Sequence, residues 1–122
     1  MAILVERSFT IQRGSAAEFE RLSREAIWPY MEARGCRLLG LYGNVHGGPS
    51  NELTLLTAYD SLAHWEATRQ DATPPEGSSA ELIALYEANL VALRERAKLT
   101  VVSSSRVLRP ISTWFDLAVR PG

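Results

Sequence analysis

The chain has 122 residues, of which 46% are apolar and 22% are charged, and its formal net charge is −1. This length and composition predict a single globular domain over residues 1–122 rather than a disordered chain. The 13 basic residues are balanced by 14 acidic ones, so we expect no nucleic-acid partner. The single cysteine, Cys36, excludes an intrachain disulfide and a zinc site built from several cysteines of one chain.

Neither end of the chain resembles a targeting signal. Glu6 and Arg7 interrupt the apolar N-terminal stretch, whereas a signal peptide needs a continuous apolar segment. No window approaches the roughly 18 apolar residues of a membrane-spanning helix. We therefore expect a cytoplasmic protein with no membrane partner.

Hydrophobic periodicity divides the chain into strands, where apolar residues alternate, and helices, where they recur every three to four residues. In chain order, the predicted elements are a strand over residues 2–12, a helix over about 15–34, a strand over 36–45, a strand over 52–59, a helix that Asp60 or Ser61 caps and that ends near Gln70, a helix over about 79–97, and a strand over 99–108. With the two helices before the last strand counted as one helical connection, the order is β-α-β-β-α-β.

Local signals mark the ends of the predicted helices. Two S-x-x-E capping boxes, at residues 15–18 and 78–81, predict where the first and last helices begin. Pro29 lies inside the first helix and removes one of its hydrogen bonds, so we expect a kink near Trp28. Gly35 suits the left-handed position that closes a helix.

The β-α-β-β-α-β order predicts the ferredoxin-like α+β fold, in which helices cover one face of a four-stranded antiparallel sheet. The glycine-rich loop at residues 47–51 is short, so the second and third strands should form a hairpin. Both faces of the predicted strands carry apolar residues, and the face without helices needs a cover. We therefore expect a homodimer that packs sheet against sheet.

Short segments spread over the chain carry a family pattern. They are residues 6–11 leading to Gly14, the glycine-flanked strand at 35–42, the helix start at 59–62, and Pro110 after the last strand. Together they resemble the NIPSNAP family. This resemblance implies the dimeric α/β-barrel superfamily, in which two ferredoxin-like protomers join their sheets and each has a pocket between sheet and helices. Cofactor-free monooxygenases, cyclases, isomerases and stress-response proteins share this superfamily, so the resemblance does not select a reaction.

Histidine is the first candidate for acid–base chemistry, because its ordinary pKa is nearest to neutral. His64 lies early in the helix that follows Tyr59, and we take it as the candidate general acid or base, with Tyr42 and Tyr59 as hydrogen-bond donors. The alternative is that His64 and His46 are solvated surface residues. Neither histidine has a partner four residues along a helix, so we expect no metal site, and no glycine-rich motif suggests a nucleotide cofactor.

Aromatic side chains and one arginine are the candidate ligand-binding residues. Flat rings with polar edges suit an apolar or aromatic ligand. The candidate rings are Trp28, Tyr30, Trp65 and Trp114. Glu6 and Arg7 lie on opposite faces of the first strand, and an inward arginine needs either an ion-pair partner or an anionic ligand. The alternatives are that the rings fill the core and dimer interface and that Arg7 belongs to an ion pair.

These residues predict a small enzyme that acts on an apolar or aromatic metabolite without metal or nucleotide, by cyclase, isomerase or cofactor-free oxygenase chemistry. One alternative is a non-catalytic ligand-binding or stress-associated protein with the same pocket. Another is a purely structural dimer module with a filled core. Cys36 starts a predicted buried strand, so we expect an inert core thiol.

Overall fold

The structure is a computed structural model that describes residues 1–113. Its strands and helices are β1 (Ile3–Ile11), α1 (Ala16–Leu22), α2 (Trp28–Ala33), β2 (Arg37–Gly43), β3 (Glu52–Tyr59), α3 (Leu62–Ala67), α4 (Ala80–Leu99) and β4 (Thr100–Leu108). A four-stranded sheet has the order β2-β3-β1-β4, and every neighbouring pair is antiparallel. This arrangement confirms the predicted ferredoxin-like fold, while the joining of two such sheets stays a prediction.

The core lies between one face of the sheet and the helices. Val5, Phe9 and Ile11 alternate along β1, and each is 2% exposed. Leu53 and Leu55 of β3 join Phe9 and Ile11 in one apolar cluster. Because side chains alternate across a strand, Glu6, Ser8 and Thr10 point to the opposite face, which we call the outer face of the sheet.

The kink predicted near Trp28 takes the form of a π-helical segment, Ser23–Ile27, between α1 and α2. Pro29 is the second residue of α2, two positions after the end of this segment. A proline has no N–H to donate, and its ring crowds the carbonyl four residues earlier. A wider π-helical turn relieves this crowding without ending the helix.

Gly35 ends α2 as predicted, with a φ of 89°. Its N–H donates to the Glu32 carbonyl over 3.0 Å, and the N–H of Cys36 donates to the Met31 carbonyl over 3.0 Å. These two bonds form a Schellman motif, which satisfies carbonyls that a helix end otherwise leaves unpaired. The backbone of this turn therefore needs a residue without a Cβ.

Neither predicted capping box forms its side-chain bonds, although Ser15 is the N-cap residue of α1 as predicted. The Ser15 side chain makes no cap bond to α1, and Glu18 instead forms an ion pair with Arg21 one turn further along. Ser79 caps α4 in place of Ser78, so the helix begins one residue later than the pattern predicts. The S-x-x-E pattern recurs easily in serine-rich connections, and only the backbone geometry of the entering chain selects the capping residue.

Helix α4 is 20 residues long and carries polar groups on its buried side. Asn89 is fully buried, and Arg96 is 4% exposed. Together with Ala92 they are the buried residues of α4, and their spacing places all three on one face of the helix. Within residues 1–113, no helix is both long enough and apolar enough to cross a membrane.

Candidate functional site

A cavity of about 530 Å³ lies between the helix-covered face of the sheet and α4. Strands β1 and β3 form the floor of the cavity, and α4 forms its roof. One side consists of Trp65 of α3 and residues 69–71. Most of its wall is apolar and consists of Val5, Met31, Leu55, Leu90, Leu93 and Ala97. The volume lies within the range of roughly 300–1,000 Å³ that small-molecule sites occupy.

The register of the sheet brings Arg7 to the floor of this cavity. Arg7 lies between Val5 and Phe9 on the helix-covered side of β1, and it is paired with Leu55 of β3. Its neighbour Glu6 points to the outer face and accepts hydrogen bonds from Arg106 of β4, the closest at 2.7 Å. The inter-strand ion pair that the sequence allowed therefore exists, but Glu6 makes it and Arg7 does not.

Arg7 forms no ion pair in the part of the chain that the structure describes. Its guanidinium carbon lies 4.7 Å from the centre of the Phe9 ring, and its Nε is buried without a hydrogen-bond partner. Burial lowers the pKa of the guanidinium, and the nearby Tyr59 and Asp71 partly oppose this effect. An arginine keeps its proton even so at neutral pH, so the cavity floor carries a positive charge.

A second cation, Arg96 of α4, lies in the core close to Arg7. Its guanidinium carbon is 4.9 Å from the ring centres of both Phe9 and Phe19, and its Nη1 donates to the Ser23 hydroxyl over 3.0 Å. Burial and, to a smaller extent, the charge of Arg7 lower the pKa of Arg96 to about 9. Arg96 is therefore also charged at neutral pH, and it adds to the positive potential at the cavity floor.

Further charged groups line the cavity nearer its opening. Arg69 stacks over the Trp65 ring, with 4.3 Å between its guanidinium carbon and the ring centre. Arg94 of α4 and Asp71 also line the cavity. Three arginines against one aspartate give the lining an excess of positive charge.

Tyr59 supplies a neutral hydroxyl to the cavity wall. Its side chain is 2% exposed, and burial raises its pKa well above the ordinary value. The same cause raises the pKa of the neighbouring Cys36 thiol to about 12. Tyr59 is therefore a phenol that donates a hydrogen bond, and Cys36 is a protonated thiol without nucleophilic character at neutral pH.

His64 lies behind the cavity wall and does not line the cavity. Its Nδ1 accepts a hydrogen bond from the Asp60 N–H at 3.1 Å, so its Nε2 carries the proton and donates to the Arg34 carbonyl at 2.9 Å. Its ring packs edge-on against Tyr59, with 5.4 Å between the ring centres. Both ring nitrogens thus bind backbone groups, and His64 holds α3 against the end of α2.

The structure brings together Arg7, Tyr59 and Trp65 from the residues that the sequence singled out. Tyr42 pairs with Thr54 on the outer face of the sheet, where it is 51% exposed and far from the cavity. The register of β2 decides this, because a side chain one position away would point to the helices.

Trp28 and Tyr30 lie in the core rather than in the cavity lining. Trp28 packs against both apolar clusters. Tyr30 is fully buried, and its hydroxyl donates to the Ala72 carbonyl. This bond ties the segment before α4 to α2, so Tyr30 shapes the cavity side without contacting its interior. Trp114 lies outside the residues that the structure describes.

The sequence did not predict that Arg69 and Asp71 line the cavity, because the connection after α3 has no periodic pattern, and it did not predict this for Arg94, one of several charged residues of α4. Tertiary contacts position this connection, since the buried Asn89 side chain donates to the Gln70 carbonyl. The burial of Arg96 was also missed, although Arg96 lies two helical turns after Asn89 and so on the same face of α4.

Comparisons with known proteins agree with this fold. A NIPSNAP family protein from Agrobacterium tumefaciens is 21% identical, with a TM-score of 0.70 over 90% of this chain and 93% of that one. An uncharacterized NIPSNAP-like domain protein from Burkholderia xenovorans is also 21% identical, with a TM-score of 0.70 over 97% of this chain and 92% of that one. SnoaB, a cofactor-independent oxygenase from Streptomyces nogalater, is 13% identical, with a TM-score of 0.58 over 94% of this chain and 98% of that one.

No curated protein matches this chain. At these identities the solved structures show a shared fold and nothing about the reaction. The NIPSNAP family model, by contrast, matches residues 4–112, which is most of the sequence. The chain therefore belongs to the NIPSNAP family.

Proposed function

We propose that this protein binds a small, partly apolar organic molecule in the cavity between the sheet and α4. The observation that carries this proposal is a cavity of about 530 Å³ with apolar walls and a few convergent polar groups, Arg7 and Tyr59 among them. Such a combination is typical of small-molecule sites. A purely structural module would instead fill this volume with core side chains.

A pair of phenylalanine substitutions on α4 tests this proposal. Ala97 lines the cavity, so Ala97→Phe places a ring in the space that the ligand needs. Val91 is 52% exposed on the same helix, so Val91→Phe is the matched control. Both variants and the wild-type protein are screened against small organic molecules by thermal denaturation.

We expect ligands that stabilise the wild-type protein and Val91→Phe but not Ala97→Phe. A ligand at 100 times its Kd adds about 2.7 kcal/mol to the free energy of unfolding, which a thermal shift readily detects. A ligand that stabilises Ala97→Phe equally well binds elsewhere, and this result would contradict the assignment of the cavity. A screen without any ligand for the wild-type protein would also count against it.

Cofactor-free oxygenase chemistry is the second candidate function, and the fold that this chain shares with SnoaB favours it. An oxygenase without metal or cofactor takes its electrons from the substrate, which it must therefore hold as an anion. Arg7 would stabilise the negative charge, and Tyr59 would donate a hydrogen bond to it. Asp71, a carboxylate of the lining, is the candidate proton acceptor.

Oxygen uptake in the presence of a ligand from the screen tests this second function. Asp71→Asn should abolish uptake while the ligand still binds. A catalytic role for His64 stays a prediction, and it requires the ring to leave both backbone partners. His64→Gln should therefore change uptake little, and a loss as large as that of Asp71→Asn would assign the proton transfer to His64 instead.

We also propose that the protein is a homodimer that joins the outer faces of two sheets. Tyr42 and Val102 lie on this face and are 51% and 58% exposed. Exposed apolar side chains that share a face are typical of an interaction surface. Native mass spectrometry should give a species of twice the chain mass, and a monomer at micromolar concentration would contradict the dimer.

A further inference from the structure

Within residues 1–113, two arginines in or beside the core, Arg7 and Arg96, have no carboxylate within ion-pair distance. Among the described residues, Arg7 and Arg96 form no ion pair, although other arginines do. The carboxylates that do form ion pairs lie at the surface and are Glu6, Glu18, Glu20, Glu25 and Glu95. The ion-paired carboxylates therefore lie where water already screens their charge, whereas Arg7 and Arg96 make the region around the core positive.

A buried cation without an ion-pair partner lowers the stability of the folded state, because it has lost its hydration. Cation–π contacts with the Phe9 ring partly stabilise both arginines. Arg96 also has the Ser23 hydroxyl, and it is enclosed by aromatic rings. Arg7 differs from Arg96 because it lines the cavity, where an entering molecule reaches it.

The surroundings of Arg7 form a subsite for an anion. Ser105 of β4 is paired with Arg7 across the two strands and also lines the cavity, so the cavity has a hydroxyl as well as the guanidinium. A guanidinium presents a planar fork of N–H groups that matches the two oxygens of a carboxylate. Asp71 also faces the cavity and would repel a doubly charged group, so a monoanion fits this subsite better than a phosphate dianion.

We propose that the natural ligand is an organic carboxylate, whose charged end binds Arg7 and whose apolar body lies between Trp65 and Leu93. This inference rests on the proposed small-molecule function and specifies the chemical class of the ligand. Arg69 and Arg94, which line the same cavity, attract the anion during entry. The apolar walls supply affinity through burial, and Arg7 selects the charge.

Matched probes that differ only in charge test this proposal. The pairs are 2-naphthoate with 2-naphthamide, indole-3-acetate with indole-3-acetamide, and decanoate with decanamide. Calorimetry in low-salt buffer gives the Kd of each probe for the wild-type protein, Arg7→Met and Arg7→Lys. Arg106→Met is the matched control, because it removes an arginine from the outer face of the neighbouring strand.

For at least one pair we expect the wild-type protein to bind the carboxylate roughly ten- to a hundredfold more tightly than the amide. Arg7→Met should reduce this preference to less than about twofold, and Arg7→Lys should keep part of it. Arg106→Met should leave it unchanged. Equal binding of carboxylate and amide by the wild-type protein overturns the anion inference and leaves the proposed function intact.

A thermal screen that yields only uncharged ligands would also overturn the anion inference. A screen without any ligand would contradict both this inference and the proposed function.

The stability of the ligand-free variants supplies an independent measurement. Arg7→Met keeps the volume and removes the unpaired charge, so its melting temperature should equal or exceed that of the wild-type protein. A clear decrease would show that Arg7 stabilises the fold, and would overturn its assignment as a ligand group.

Discussion

Replacing Gly35 with alanine tests the joint formed by the end of α2 and His64. Gly35 has a φ of 89°, a left-handed conformation that costs an L residue about 1–2 kcal/mol. A Cβ at this position would also lie 3.0 Å from Nε2 and 3.2 Å from Cε1 of the His64 ring. Because hydrogen bonds hold this ring from both sides, it cannot move without losing one of them.

The cost of Gly35→Ala therefore has two parts. The backbone strain contributes about 1–2 kcal/mol, and the lost hydrogen bond of His64 adds about 1 kcal/mol. We expect the free energy of unfolding to fall by about 2–3 kcal/mol. Gly14→Ala is the matched control, since Gly14 has a φ of 84° and no atom within 4 Å of a built Cβ. For Gly14→Ala, the free energy of unfolding should fall only by the backbone strain of about 1–2 kcal/mol.

Urea denaturation followed by circular dichroism measures both losses through linear extrapolation. The double variant Gly35→Ala/His64→Ala isolates the contact, because Gly35→Ala should cost no more than Gly14→Ala once the ring is absent. Equal losses for Gly35→Ala and Gly14→Ala in the wild-type background would refute the reasoning. They would show that His64 moves freely and does not clamp α3 to α2.

Two further predictions concern buried polar groups. Burial raises the pKa of the Cys36 thiol to about 12, so at pH 8 the thiol should react with a disulfide reagent far more slowly in the native protein than in urea. Equal reaction rates would place the thiol at the surface. Asn89→Ala leaves the Gln70 carbonyl without its donor and should lower the free energy of unfolding by about 1–3 kcal/mol, together with weaker ligand binding in the thermal screen. An unchanged affinity would show that the segment at residues 69–71 keeps its position without Asn89.

Local chemistry determined the elements and their order. The alternation along β1 and the loss of an N–H at Pro29 act within a few residues, so the sequence predicts a strand and an irregular helix there. Gly35 is predictable for the same reason, because a left-handed helix end depends on one residue and its neighbours. The second capping box failed because Ser78 and Ser79 compete for the same position, and the first because the Ser15 hydroxyl donates to the Gln12 carbonyl instead.

The site depended on contacts between residues that are distant in the sequence. Alternation put Glu6 and Arg7 on opposite faces, and it left open which of them would find a partner. The pairing of β1 with β4 brought Arg106 to Glu6 on the outer face and left Arg7 facing the cavity. His64 lies early in its predicted helix as expected, yet the end of α2 binds its ring and keeps it out of the cavity. The sequence therefore determined the elements and singled out some candidate residues. The tertiary structure decided which residues share one cavity, because sheet register and helix packing join positions that no local pattern connects.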